Sequence, residues 1–221
     1  MRRIAVLASG RGSNLQVLVD AIADGRLDGE LVGVFSDRAR AGALQRARDA
    51  GIPACSLRPR DFESRRAFDE ALFSLVDGVQ PDLIVCAGYM RLLDSNVVEA
   101  RPGRMINIHP SLLPAFKGLH THQQALDAGV PVHGASVHVV TAELDGGPVI
   151  AQARVPVQAG DDADRLAARV LEREHPLLLA TVDALLRGRI TLSGPRPCVD
   201  GGPMHAPLQL GADNTLHVPT A

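Results

Sequence analysis

Short, nearly continuous apolar runs alternate along this chain with stretches whose apolar residues recur at helical spacing, and that rhythm limits the folds open to it. RIAVLA (Arg3–Ala8), ELVGVFS (Glu30–Ser36) and DLIVCA (Asp82–Ala87) read as strands buried on both faces. After the first run, Leu15, Leu18, Val19 and Ile22 recur at helical spacing. Ala41–Ala50 reads as a short helix closed by Gly51 and Pro53, and Ala54–Leu57 as a short third strand. Asp61 to about Val79 reads as an amphipathic helix whose apolar side carries Phe62, Ala67, Phe68, Leu72, Leu75, Val76 and Val79. Such alternation implies an α/β fold, a doubly wound, mostly parallel twisted sheet. Right-handed crossovers then put the ends of the first, fourth and fifth strands along one rim, where open sheets of this kind bind ligands.

In the C-terminal half the rhythm changes. Pro131–Val140 is a further strand, and TAELDGGPVIAQARVPV a turn and another strand, so antiparallel strands are expected there. Asp161 reads as the cap of a long helix with Leu166, Ala167, Val170, Leu171 and Glu174 near one side. Pro176 is expected to kink that helix or break it in two, and Arg187-Gly188 to end it. RITLSG is a short strand, and the proline-rich remainder lacks periodicity. The expected organisation is one domain over 1–192, with halves of about 1–100 and 101–192. A surface extension over 193–221 follows, poorly ordered in part.

Composition excludes several classes. A chain of 221 residues buries about 70% of its unfolded surface and needs no staples. With no Trp and one Tyr, the core must be Leu, Val, Ile and Ala. The formal net charge is −2 and no basic tract stands out, so no nucleic-acid surface is indicated. Cys55, Cys86 and Cys198 show no C-x-x-C spacing, which points to a reducing, cytoplasmic compartment. The apolar run in MRRIAVLASG is too short for a signal peptide, and no stretch is long enough to cross a membrane.

The most chemical stretch is 104–126, RMINIHPSLLPAFKGLHTHQQAL. Met105, Ile106 and Ile108 are β-formers, and Asn107 and His109, two apart, share one face of the strand. Pro110 biases His109 towards extended backbone. A carboxamide and an imidazole then project together from a strand end. Imidazole passes protons near neutrality, and a carboxamide donates to a developing oxyanion. The pair suits acyl transfer through a tetrahedral intermediate, with an amine or water from a substrate as the attacker. The plainer reading is that Asn107 closes a turn and His109 bonds to backbone.

Other stretches invite the same comparison. SGRGSN, after the first strand and before a helix, offers backbone N–H groups to a phosphate. Leu15 stands where a dinucleotide fingerprint needs its third glycine, while Ser13 and Asn14 add side-chain donors and a cap, which favours one phosphate monoester. Met90, Leu92, Leu93, Val97 and Val98 form an apolar cluster, either plain packing or a slot for a flat heterocycle. Asp145, before Gly146-Gly147, either caps its own turn or faces the imidazole and raises its pKa. Among the eight histidines, His120, His122, His133 and His138 lack a metal-site spacing, and no metal is expected.

NIHPSLLPAFKG, GLHTHQQAL and ELDGGPVI together resemble the folate-dependent formyltransferases, over about Ile4 to Gly188. GSNLQ with GLHTHQQAL narrows the likeness to the phosphoribosylglycinamide formyltransferase branch, and with it to a Rossmann-like formyltransferase fold. The resemblance implies formyl transfer from 10-formyltetrahydrofolate to the amine of glycinamide ribonucleotide, in de novo purine synthesis. It implies Asn107 and His109 as the oxyanion-stabilising and proton-transferring pair and Asp145 as the carboxylate that orients the histidine. Gly12, Ser13 and Asn14 match the phosphate loop, and Glu174 a residue on the ribonucleotide side. Arg65, Met90, Arg91, Leu92 and Leu93, with Thr141, Ala142, Glu143, Leu144 and Asp145, match the folate walls, to which Asn107 also contributes. Arg11 stands where Asn is common, and Ala115-Phe116-Lys117 departs from the Lys-Tyr-Pro-like runs of other members.

Rival readings are a 10-formyltetrahydrofolate deformylase, which carries an extra amino-terminal domain, and methionyl-tRNA formyltransferase, which needs an RNA-binding extension. A non-catalytic nucleotide-binding module is the third. The partners expected are the two small substrates, with no nucleic acid and no membrane, in a monomer or homodimer.

Overall fold

The structure, a computed structural model, describes residues 1–192, 194 and 196–219. Ser193, Pro195, Thr220 and Ala221, part of the expected extension, lie outside the described residues. The chain divides into two compact units, Met1–Asn107 and Ile108–Ala221.

The first unit follows the alternating pattern. Strand β1 (Arg2–Leu7) leads to helix α1 (Ser13–Ala23), β2 (Gly29–Ser36), α2 (Gly42–Asp49) and β3 (Ala54–Ser56). A 3₁₀ turn at Pro59–Asp61 precedes α3 (Arg65–Gly78), which starts four residues later than expected because Ser64 caps it, accepting from the Ala67 N–H at 3.1 Å. Strand β4 (Leu83–Cys86), the short α4 (Ser95–Glu99) and β5 (Met105–His109) follow. Within this unit the order is β5-β4-β1-β2-β3, every neighbouring pair parallel. Ile4, Val6 and Leu7 of β1, Ile84 and Val85 of β4, and Leu18, Leu44, Phe68, Leu72, Phe73 and Val76 of the helices have no exposed surface. Each such aliphatic side chain contributes roughly 1.5–3 kcal/mol by burial.

Antiparallel pairing enters with the second unit. After α5 (Thr121–Asp127), strands β6 (Val132–Val139) and β7 (Val149–Pro156) run antiparallel across the turn that contains Asp145. Helix α6 (Ala163–Leu186) packs on both. Two expectations about α6 are corrected. Asp162, not Asp161, is its cap, accepting from the Arg165 N–H at 2.8 Å, while Asp161 pairs with Arg169 and accepts from the Gln158 N–H. Pro176 also fails to break the helix, which runs unbroken for 24 residues. Interior proline costs about 3 kcal/mol. Leu166 and Val170 before it, and Leu177, Leu178 and Val182 after it, are fully buried, so both halves are held to one sheet face.

Among the described residues of 193–221 there are four short strands. After β8 (Ile190–Thr191), β9 (Cys198–Val199) and β10 (Gly202–Pro203) make a three-stranded antiparallel sheet with it. Strand β11 (Leu208–Leu210) pairs parallel to β7 and antiparallel to β12 (Leu216–His217). Leu208 and Leu210 are buried, and Arg173 of α6 donates to the carbonyls of Leu210 and Gly211 and to Asn214 Oδ1. Strands this short leave no periodicity to read in the sequence.

At Gly134 of β6 the two strands pass so closely that a Cβ would lie 1.9 Å from the Ala153 carbonyl oxygen and 2.9 Å from Leu112. Gly134→Ala is expected to cost about 3 kcal/mol, because the clash is with backbone that cannot yield. Urea unfolding with an unchanged midpoint would show that β6 and β7 are not packed this tightly.

Candidate functional site

In the first unit the parallel register sets Leu7 of β1 beside Cys86 of β4, and Cys86 beside Asn107 of β5. The segments leaving β1 and β4 are therefore neighbours. The first is the glycine loop. Gly12 stands at φ 77°, and a Cβ there would come within 2.6 Å of Ala43 Cα, so this turn admits only glycine. Gly12 also occupies the cap position of α1, with no side-chain cap, which corrects the capping role expected of Ser13 and Asn14. An α-helix start that no side chain caps presents its first N–H groups to an anion. Ser13 begins α1 and Asn14 is buried beside it. The loop leans on α2, with Ala43 N–H donating to the Gly10 carbonyl and Arg46 Nε to the Arg11 carbonyl.

The segment leaving β4 has no regular structure until α4. Ser9 joins it to the glycine loop: its N–H donates to the Gly88 carbonyl, and its hydroxyl accepts from the Met90 N–H at 2.9 Å. The same hydroxyl donates to buried Asp37 Oδ1 at 2.6 Å. Met90 and Leu92 are exposed, Arg91 lies half-buried with its guanidinium 5.1 Å from the Phe68 ring centroid, and Leu93 is buried. Arg65 is exposed at the first turn of α3, and Asn107 is half-buried. Ser9, Asp37 and Asp69 escaped the sequence reading. Their only signal was a polar residue next to an apolar run or on the apolar side of a helix.

In the second unit His109 ends β5, buried with only 6% of its surface exposed. Its Nδ1 lies 3.5 Å from Asp145 Oδ2, and its Nε2 lies 3.0 Å from the Phe116 carbonyl oxygen. Both ring nitrogens thus face acceptors. A neutral imidazole has one N–H, and the shorter contact places it on Nε2, donating to Phe116. The bare Nδ1 then faces a carboxylate, a contact that becomes attractive once the ring is protonated. Burial lowers the His109 pKa, and the Phe116 carbonyl and the Asp145 charge oppose it without cancelling it.

Asp145 sits on the turn between β6 and β7 at φ 47°. Its side chain accepts from the Gly118 N–H at 2.9 Å and lies 3.5 Å from His138 Nε2. His138 Nδ1 faces the Val139 carbonyl at 3.0 Å. Burial works to raise the Asp145 pKa, but the His138 contact, the Gly118 N–H and the histidine charges outweigh it, and the net shift is downward. The carboxylate stays ionised beside an imidazole that burial keeps neutral. That arrangement accepts a proton at Nδ1 and stabilises the result, as general acid–base chemistry at a carbonyl carbon requires.

Thr141 is half-buried, and Ala142, Glu143 and Leu144 form the exposed approach to Asp145, with Glu143 paired to Lys117 at 2.7 Å. Glu174 is buried on α6. Of the other histidines, His122 Nδ1 lies 3.2 Å from His133 Nε2, and the Phe116 ring meets His133 edge-on at 5.9 Å. Among the described residues no group of three or more His, Cys, Asp or Glu side chains is placed to hold a metal, and no helix is long and apolar enough to cross a membrane.

A family model described as formyl transferase matches residues 2–182. Phosphoribosylglycinamide formyltransferase of Escherichia coli (strain K12) is 48% identical over 198 residues, which are 90% of this chain and 93% of that relative. Among solved structures, glycinamide ribonucleotide transformylase 1 of Symbiobacterium toebii superposes with a TM-score of 0.86 at 46% identity, covering 90% of this chain and 94% of that one. The phosphoribosylglycinamide formyltransferase of Coxiella burnetii, solved in complex with CHES, gives 0.89 at 41% identity and covers 99% of both chains.

His133, with no exposed surface, has its pKa pushed down to about 4 by burial, then by the neighbouring His122 and His109. Unfolded histidine titrates near 6.5, so below that pH the unfolded chain takes up a proton that the folded one refuses. The stabilisation is present above pH ~6.5 and lost as pH falls towards 4. Between pH 7 and 5 this group removes about 2 kcal/mol of stability. His133→Leu is expected to shrink the pH 7 to 5 loss by that amount in urea melts; an identical loss in both proteins would refute the assignment.

Proposed function

The chain belongs to the formyl transferase family, and from that premise we propose that it transfers the formyl group of 10-formyltetrahydrofolate to the primary amine of N1-(5-phosphoribosyl)glycinamide, a step of de novo purine synthesis. The observation that carries the reading is the buried Asp145 carboxylate 3.5 Å from His109 Nδ1, in a chain 48% identical to an enzyme named for that reaction. The amine attacks the formyl carbon and forms the C–N bond. Asn107 donates to the oxyanion, and His109, once protonated and held by Asp145, stabilises it as well. Collapse re-forms the carbonyl and breaks the bond to the folate N10. The proton lost by the amine reaches N10 through His109 or water.

Gly12, Ser13 and Asn14 hold the ribonucleotide phosphate, and Glu174 its sugar side. Arg65, Met90, Arg91, Leu92 and Leu93, with Asn107 and the 141–145 turn, form the walls of the folate site. Binding of the phosphate, remote from the reacting carbon, orients the amine. Residues 1–192 constitute the catalytic domain and 193–221 an extension. The free cysteines Cys55, Cys86 and Cys198 support a cytoplasmic location.

His109→Ala and Asp145→Ala are each expected to lower kcat/KM by about a thousandfold or more, with thermal unfolding near that of the native chain. Normal turnover in either variant would refute these catalytic roles. Gly12→Ala is expected to raise the KM for the ribonucleotide at least about tenfold, because the loop must part from Ala43. An assay with the folate donor, with and without the ribonucleotide, tests the reaction itself. Formyl release independent of the amine would identify a hydrolase, and ligand binding without turnover a non-catalytic module.

A further inference from the structure

Residues 90–93, which the proposed function makes a wall of the folate site, belong to no helix or strand, yet the segment is tethered at both ends by buried side chains. At its start the Met90 N–H donates to Ser9 Oγ, itself backed by Asp37. At its end the Asp94 N–H donates to Asp69 Oδ2 at 2.8 Å. Asp69 lies on α3, in the middle of the chain's first unit, and has no exposed surface. Asp94 in turn caps α4, accepting from the Asn96 N–H at 3.1 Å. The tether therefore fixes the residue where the irregular segment becomes helix.

A fully buried carboxylate is costly unless it is paired and hydrogen-bonded. Burial raises the Asp69 pKa, and the Asp94 N–H with the charges of Arg91 and Arg65 opposes that rise. Its second oxygen, Oδ1, has no hydrogen-bond partner among the described residues, and neither do Arg91 Nε nor the Tyr89 hydroxyl, both buried. Tyr89 and Arg91 lie within electrostatic range of Asp69. A Leu at this site of α3 would serve packing better, so the carboxylate is explained by what it holds.

We infer that Asp69 is a positioning residue for folate binding, holding residues 90–93 in their wall conformation through the Asp94 N–H. The inference rests on the folate-wall assignment above. Asp69 touches neither substrate, and its effect is confined to the donor side.

The test compares Asp69→Ala and Asp69→Asn with the native protein. Asparagine retains an oxygen for the Asp94 N–H; alanine does not. Asp69→Ala is expected to raise the KM for 10-formyltetrahydrofolate about tenfold, with kcat within about threefold and ribonucleotide KM within about twofold. Asp69→Asn is expected to recover most of the loss. Hydrogen exchange at the Asp94 amide is expected to quicken in Asp69→Ala and to stay slow in Asp69→Asn. If Asp69→Ala does not fold, Asp69→Leu fills the same space without an acceptor and is expected to behave the same way. An unchanged folate KM, an equal rise in both KM values, or an equally protected Asp94 amide in the alanine or leucine variant would overturn the inference. A native protein that transfers no formyl group would instead overturn the functional reading, and the exchange measurement would still report whether Asp69 holds the segment.

Discussion

Parallel pairing of β1, β4 and β5 is the constraint on which the first unit's chemistry depends. Side chains alternate faces along a strand, so a slip of one residue would turn Asn107 to the opposite face of the sheet. The register is supported by apolar side chains buried on both faces, and at the start of β1 the Arg3 N–H donates to Asp82 Oδ2, just before β4, at 2.8 Å. The ends of β1 and β4 come level at Leu7 and Cys86, which lets the Ser9 hydroxyl reach the Met90 N–H. One side chain thus joins the glycine loop to the segment that leaves β4, and both inherit the precision of the sheet.

The second unit solves a different problem, how to keep a carboxylate charged beside a neutral imidazole in a buried place. Asp145 adopts a left-handed backbone, and Gly147 behind it lies so close to the Val139 carbonyl that a Cβ would sit 1.8 Å from the oxygen. The two glycines after Asp145 therefore belong to the electrostatics as much as to the turn. They let the chain double back so that the carboxylate meets the Gly118 N–H and two histidines. Desolvation and charge pull His109 in opposite directions, and burial prevails, so the pKa is lowered.

Buried polar anchors recur where backbone is irregular. Ser136 accepts from the Leu113 N–H and donates to the Ser111 carbonyl, and Gln152 donates to the Leu113 carbonyl, so the turn after His109 is pinned from β6 and β7. Ser9, Asp37 and Asp69 do the same for the segments leaving β1 and β4. In each case a side chain supplies the hydrogen bonds that regular structure would have supplied. That keeps a loop in one conformation without making it a helix or strand.

The elements of the first unit were legible to within a few residues, because strands buried on both faces are written as apolar runs and helices as stripes. The pairing of His109 with Asp145 was legible only as an option, since 36 residues separate them in the chain and their contact depends on how β6 and β7 turn. Three things could not be read. The caps of α1 and α6 depend on backbone angles that differ between adjacent candidate residues. The continuity of α6 through Pro176 depends on packing that outweighs a local penalty. The strands of the extension depend on partners that their own pattern does not specify, β7 for β11 and β8 for β9. Sequence by itself determined the order of elements, the apolar core and the inventory of chemical groups, because these follow from periodicity and residue type. Tertiary structure alone decided which buried polar atoms meet, because hydrogen bonds and charge balance depend on distances of a few tenths of an ångström that periodicity does not encode.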